Sequence, residues 1–175
     1  MEEVYIPAER LDLLKKDSKA RSLIEGVCSC KMSIDRDGMI IIKGSPYNEF
    51  MARNVIYAFG RGFEIEAARR LLGDGFYFSS IDLKEELGSE KRVRRIKARI
   101  IGENGRTKRY IEGVSSARIC VYGDTVSFIG STEEIKEAET AVNTLIEGGT
   151  HRLAYLRMEA AHRKNKEAVH SLGWR

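Results

Sequence analysis

The chain has 175 residues, 42% hydrophobic and 32% charged, with a formal net charge of +4. That length makes one sizeable domain or two small ones, and no apolar run approaches the length of a membrane-spanning helix. Cys28, Cys30 and Cys120 are too few for a disulfide framework; Cys28-Ser-Cys30 has the look of a metal half-site, but with no second Cys/His pair at zinc spacing buried strand cysteines are the expected reading. The opening Met1-Glu2-Glu3-Val4 lacks the basic and apolar regions of a signal peptide, which predicts a cytoplasmic protein. Charge is unevenly spread. Residues 91–110 carry nine Lys/Arg against one Glu, residues 151–175 carry six against two, and the remainder is net −8. Two basic patches on an acidic body are the footprint of a protein that grips a polyanion at one place.

In chain order, Val4-Tyr5-Ile6 predicts a short strand, and Ala8 to Leu14 a helix opened by Pro7. Lys19 to Glu25 predicts a second helix ended by Gly26. Ser29 to Asp35 and Met39 to Lys43 predict two strands around the turn Asp37-Gly38. Ser45-Pro46 opens a longer helix with Met51, Val55, Ala58 and Phe59 on one face. Gly60-Arg61-Gly62-Phe63 breaks it and reads as an interdomain hinge. An extra helix is expected over Glu64 to Leu72.

A second series follows Gly73-Asp74-Gly75. Phe76 to Leu83 predicts a strand, and Ser89 caps a helix with Val93, Ile96 and Ile100 on one face. Arg92, Arg95 and Arg99 point to the opposite face. Gly102-Glu103-Asn104-Gly105 is a turn, after which a helix from Arg106 to Glu112 carries Tyr110 and Ile111 inward. Arg118 to Tyr122 and Thr125 to Ile129 predict a hairpin around Gly123-Asp124. Ser131-Thr132-Glu133-Glu134 is a capping box for a helix burying Ile135, Ala138, Val142 and Leu145. The tail from His151 to Lys166 is helical in pattern, with Leu153, Leu156 and Ala160 expected inward. Its basic end, Arg163, Lys164 and Lys166, is expected to contact RNA or a partner. His151, His162 and His170 read as surface residues, and the isolated Trp174 carries no reading.

The two series are copies. Ile24-Glu25-Gly26-Val27 recurs as Ile111-Glu112-Gly113-Val114 at an offset of 87, which also pairs Ser29 with Ser116 and Ile34 with Val121. After one lost residue, Gly44-Ser45 recurs as Gly130-Ser131. Two tandem domains follow, over residues 1–72 and 74–148, with a C-terminal helix and basic tail over 149–175. Each is an α+β unit of order β-α-α-β-β-α, with helices on one face of a three-stranded antiparallel sheet.

That order, with two glycines in the helix–helix turn, resembles the type I KH domain, whose GXXG loop clamps a single-stranded nucleic-acid backbone. Four segments narrow the resemblance: Tyr5 to Arg10, Ala58 to Phe63, Arg99 to Arg109, and Ile119 to Val126. Together they resemble the archaeal tandem-KH proteins of small-subunit ribosome assembly, relatives of the eukaryotic partner of the Nob endonuclease. The short N-terminus, without a long charged extension, favours the archaeal form. The resemblance implies binding to small-subunit rRNA near its 3′ end and help in pre-rRNA processing. The partners it implies are rRNA, the Nob-type endonuclease and the α-subunit of translation initiation factor two. One departure stands out. At the repeat offset the first copy has Lys15-Lys16-Asp17-Ser18, without glycine, so structural or protein-docking duty is expected there.

The expected site is therefore in the second copy. Backbone N–H groups of Gly102, Glu103, Asn104 and Gly105 meet phosphates, and Arg95, Arg99, Arg106, Lys108 and Arg109 neutralise neighbouring ones. Ile101 and Ile119 are expected as the apolar floor of a base groove, with Arg118 at a base edge. No catalytic constellation appears. Gly105-Arg106-Thr107-Lys108 fails the phosphate-loop spacing, so no enzyme, cofactor or metal is expected. A general RNA-binding adaptor, exosome-associated or a translational regulator, stays open beside ribosome assembly, as does a scaffold that recruits an endonuclease or initiation factor.

Overall fold

Alternating burial builds the first sheet around β3, Ile40–Lys43, whose Ile40 and Ile42 are fully buried while Ile41 between them is not. The computed structural model describes residues 1–171, so Trp174 lies outside the described residues. β1, Glu2–Val4, pairs antiparallel with one edge of β3 (Val4↔Ile40), and β2, Lys31–Ile34, with the other. β1 ends two residues before the expected strand does, because Ile6 leaves the ladder to seat on the end of a helix. A Cβ at Gly60 would fall 2.5 Å from the Ile6 Cγ2.

α1, Ala8–Lys16, and α2, Ser18–Cys28, are separated by Asp17 alone, whose carboxylate accepts the N–H groups of Lys19 and Ala20 at 2.9 and 3.1 Å. α2 runs through Gly26 and stops at Ser29, in the left-handed region at φ 49°. A mid-helix glycine costs about 1 kcal/mol, less than the burial of Ile24 and Cys28 around it returns. α3, Pro46–Gly60, is capped by Ser45 and buries Val55, Ala58 and Phe59, while Met51 is half-buried. The extra helix is shorter than expected: α4, Ile65–Ala68, tightens into a 3₁₀ turn over Arg69–Leu72.

Two of the motif segments meet here. The guanidinium of Arg10, itself 8% exposed, donates to the carbonyls of Phe59 (2.9 Å) and Phe63 (2.8 Å) and covers the Phe59 ring. The Gly60–Gly62 turn is thereby pinned inside the first compact unit, Met1–Phe78, and is no hinge between units.

β4 (Tyr77–Asp82), whose first two residues close the first unit, leads in the second unit, Ser79–Arg175, into an unexpected short helix, α5, Leu83–Leu87. Asp82 caps it and Gly88 ends it at φ 64°. α6 (Glu90–Ile101), α7 (Arg106–Ser115), β5 (Arg118–Tyr122), β6 (Thr125–Gly130) and α8 (Thr132–Ile146) then repeat the order of the first unit. The sheet order β4-β6-β5 matches β1-β3-β2. Ile96 and Ile100 of α6, Ile111 of α7, Ile119 of β5, Phe128 of β6 and Val142 of α8 form the core. The capping box at Ser131 and Glu134 is complete.

α9, His151–Ser171, joins the same core through Ala154 and Met158. Leu153 and Leu156, expected inward, are 39% and 51% exposed. The corner Gly148-Gly149 sets this phase: Gly148 has φ 95°, a Cβ on Gly149 would lie 2.7 Å from the Thr144 Cγ2, and small Ala154 faces inward.

The repeat has a physical reason. Glu25 accepts the N–H of Met32 at 2.8 Å, and Glu112, its copy, accepts that of Ile119 at 2.8 Å. Ser29 and its copy Ser116 both end their helices in the left-handed region.

Cys28 and Cys30 are buried, but neither is in a strand: Cys28 closes α2 and Cys30 follows it. Burial pushes the Cys28 thiol up to about 11 and also raises Cys30. A thiol with that pKa stays protonated up to high pH and is about one part in a thousand thiolate at pH 8. Titration with Ellman's reagent at pH 8 should therefore modify Cys120 in the native protein, and Cys28 and Cys30 only after denaturation. Native labelling of all three at one rate would show that this end of α2 is open.

Candidate nucleic-acid interface

α6 and α7 are joined by Gly102-Glu103-Asn104-Gly105, a single 3₁₀ turn with three backbone anomalies. Gly102 has φ 72° and ψ 172°, Asn104 φ 50° and Gly105 φ 75°. The first glycine is required twice over. Beside its positive φ, a Cβ there would fall 2.3 Å from the Oγ1 of Thr107 and 2.7 Å from its backbone nitrogen. Thr107 is buried and was not expected in the site; the sequence carries no signal for it beyond its place in the first turn of α7. Gly105 is required by conformation more than by space, since its nearest neighbour would be the flexible tip of Arg109 at 3.1 Å. Asn tolerates the left-handed region better than most residues, which accounts for Asn104.

The loop delivers α7 with its first turn uncapped: Gly105 supplies no side-chain bond to the N–H groups behind it. The N–H groups of Gly102 and Gly105, expected on phosphate, instead meet the carbonyls of Ala98 (2.8 Å) and Gly102 (3.1 Å), and that of Arg106 meets Glu103. The remaining donors, with the positive end of the helix dipole, form the anion-seeking surface. Glu103 and Asn104 are exposed at its lip, and Ile101, 37% exposed, lies just before it.

The expected cations divide into groups. Arg95 and Arg106 are exposed and hold no ion pair among the described residues. Arg109 donates to the Asn104 carbonyl at 2.7 Å, so its charge is fixed beside the loop it braces. Lys108 and Arg118 flank one carboxylate, Glu112, at 3.6 and 4.0 Å. Two expectations fail. Ile119 is 2% exposed and belongs to the core cluster with Ile100 and Phe128, so it floors no groove. Arg99 is not an open cation. Its guanidinium donates to the carbonyls of Leu145 (3.1 Å) and Gly149 at the α8–α9 corner, and its own carbonyl meets the Nε2 of His151 at 2.9 Å.

α9 also holds the other side of the loop. Tyr110, expected inward, is 40% exposed and packs on Tyr155 at 4.3 Å between ring centroids. Its hydroxyl donates to Glu159, whose carboxylate raises the phenol above its ordinary pKa. Hence both helices that carry the loop are tied to the last helix, α6 through Arg99 and α7 through Tyr110. His162 is a further correction. Its Nδ1 sits 2.7 Å from the Oε2 of buried Glu137, which also accepts from Asn165 at 2.8 Å. It locks α9 to α8 and does not face solvent freely. Among the described residues no group of three His, Cys, Asp or Glu side chains is placed to hold a metal ion.

Comparison with known proteins adds the following. Residues 77–163 match the model of the eukaryotic-type KH domain, KH type I. A KH domain-containing protein of Methanocaldococcus jannaschii is 34% identical over 174 residues, 96% of this chain and 77% of the relative. The pre-rRNA-processing protein PNO1 of Chaetomium thermophilum is 30% identical over 178 residues, 93% of this chain and 67% of its own. Among solved structures, the aDim2p complex with a/eIF2alpha and rRNA from Pyrococcus horikoshii superposes with a TM-score of 0.84 at 34% identity. That match covers 93% of this chain and 94% of the other.

The two roles open to Arg99 separate by experiment. Loss of charge-assisted bonds of this kind costs about 1.5–3 kcal/mol each at most, so Arg99→Ala should lower the urea midpoint markedly. The salt dependence of its oligouridylate affinity should keep the wild-type slope. A slope shallower by about 0.7 would instead make Arg99 a phosphate ligand.

Proposed function

We infer the function from one premise: the chain belongs to the KH-domain family that includes the pre-rRNA-processing protein PNO1 and archaeal Dim2p. On that premise it binds small-subunit rRNA in a single-stranded stretch near the 3′ end and assists processing of the precursor. The observation that carries this reading is the loop Gly102–Gly105, whose geometry is set before any ligand arrives. Phosphates sit against the loop between the two glycines and the α7 first turn, meeting the donors left after those of Gly102, Gly105 and Arg106 are given to the carbonyls of Ala98, Gly102 and Glu103. Arg95 and Arg106 neutralise neighbouring phosphates, and Arg109 does so from its bonded position. Bases unstack toward Ile101 and Arg118.

The first unit takes a different part. Where the second has four residues between its paired helices, the first has Asp17 alone, with its carboxylate on the very N–H groups that a phosphate would use. A fixed negative charge there repels RNA. The reading assigns the protein binding and no chemistry of its own. The α-subunit of initiation factor two, which accompanies aDim2p and rRNA in the Pyrococcus complex, is a proposed partner, as is a Nob-type endonuclease.

Gly105→Asp tests the clamp more cleanly than any change at Gly102, since aspartate accepts a positive φ and meets only the Arg109 side chain. It should weaken binding to a single-stranded rRNA 3′-end fragment by about tenfold or more in fluorescence anisotropy, with little change in thermal midpoint. Lys15→Ala with Lys16→Ala should weaken it far less. Unchanged affinity in the first variant, or an equal loss in the second, would overturn the assignment.

A further inference from the structure

The internal duplication supplies a control for the surface of α3. At the offset of 86 set by Ser45 and Ser131, the buried residues agree: Ala52 with Ala138, Ile56 with Val142, Phe59 with Leu145. The exposed ones do not. Where α8 carries Glu133, Lys136 and Asn143, all exposed, α3 carries Tyr47, Phe50 and Tyr57. These are 65%, 51% and 37% exposed, and with Tyr77, 55% exposed, they line a groove of about 550 Å³ within the first unit. Tyr57 is held by the edge of Phe78 and by Arg61, but the more exposed rings of Tyr47, Phe50 and Tyr77 cost solubility without such support, so the aromatic face is there for a ligand.

Charge decides the class of ligand. Residues 1–78 carry twelve Lys/Arg against twelve Asp/Glu, so the unit has no excess positive charge to hold a phosphate backbone. Within the groove Arg53 is paired with Glu2 at 3.6 Å, while Asp74 has no partner among the described residues. The uncompensated charge is negative. Tyrosine, phenylalanine, methionine and arginine around a neutral floor are instead the composition of a protein–protein contact.

In the second unit a helix covers the flank beside the equivalent positions, while Glu133, Lys136 and Asn143 themselves stay exposed. There α9 lies on α8, and its His162 and Asn165 hold Glu137. Met51 stands at that position in α3, half-buried, and lines the groove. We propose that the groove formed by Tyr47, Phe50, Tyr57 and Tyr77 receives an amphipathic helix of a partner protein. That helix seats apolar side chains among the rings and sets a basic residue against Asp74. This site is independent of the RNA clamp.

The test uses the full chain and a phage-displayed helical peptide library randomised at positions i, i+3, i+4 and i+7. Selection should return peptides sharing apolar residues and a lysine or arginine. A selected peptide should lose about tenfold or more in affinity with Phe50→Ala or Tyr47→Ala, and less with Asp74→Asn. Both ring truncations are at exposed positions, and an unchanged thermal midpoint checks that the fold is intact. Oligouridylate binding should be unaffected by Phe50→Ala and lost in Gly105→Asp. No shared pattern among selected peptides, or affinity indifferent to Phe50, overturns the proposal. So does loss of oligouridylate binding in Phe50→Ala, which makes the face a base-stacking surface. A concentration-dependent dimer abolished by Phe50→Asp would make the occupant a second copy and also overturns it.

Discussion

One glutamate per unit holds helix to sheet. Glu25 and Glu112 each reach from the second helix of the motif to the outer strand and take a backbone N–H that no neighbouring strand can satisfy. An edge amide left unpaired under a packed helix costs about as much as a lost hydrogen bond, roughly 1–3 kcal/mol. The carboxylate removes that cost and fixes the register between helix and hairpin. In the second unit the same Glu112 gathers Lys108 and Arg118, so the residue that holds the fold also places two cations beside the loop. The segment around this glutamate is where the two copies agree best, as expected of a constraint that both folds share.

Where the copies differ, the difference is steric before it is chemical. The four-residue turn of the second unit uses the N–H groups of its two glycines internally and holds Glu103 and Asn104 out at its lip, and Gly102 is fixed there by its approach to Thr107. The first unit closes the same corner with one residue, and Asp17 consumes the donors internally. Substituting glycines into Lys15-Lys16-Asp17-Ser18 would not restore a clamp, because the length is missing as well as the residue type. The outer face of the last motif helix diverges in the same spirit: polar beside a roofing helix in one unit, aromatic and open in the other.

Much of this was legible in the sequence, for reasons that can be named. Apolar spacing found Val93, Ile96 and Ile100, the capping box found the start of α8, and Asp37-Gly38 and Gly123-Asp124 found both hairpins, since each is a local signal. The fold followed from the repeat and the family resemblance together. Illegible were the contacts fixed by tertiary approach. Ile6 leaves its strand for Gly60, Gly26 stays within its helix, and α9 rotates Leu153 and Leu156 outward because Gly149 brings it down on Thr144. α5 was within reach, since Asp82 and Gly88 bracket it with ordinary start and stop signals. Arg99 was not, for its partners are backbone carbonyls 46 and 50 residues away.

Arg99 also changes how the basic patch should be understood. A count of Lys and Arg treats each as an open hand, yet their partners differ in kind. Lys108 and Arg118 share a carboxylate and Lys97 lies 3.8 Å from Asp124, so part of their field is cancelled. Arg92, Arg99 and Arg109 bond instead to carbonyls, of Leu87, of Leu145 and Gly149, and of Asn104. A carbonyl orders a guanidinium without neutralising it. The charge of Arg109 is therefore already in place beside the loop, and a polyanion need not supply the entropy of ordering it, whereas Arg99 is held at the α8–α9 corner and Arg92 at the opposite end of α6. Exposed Arg95 and Arg106 are then left to make direct contact, while the bonded arginines supply a standing potential that falls off within a Debye length. The strength of the patch lies less in its number of cations than in how few of them are cancelled.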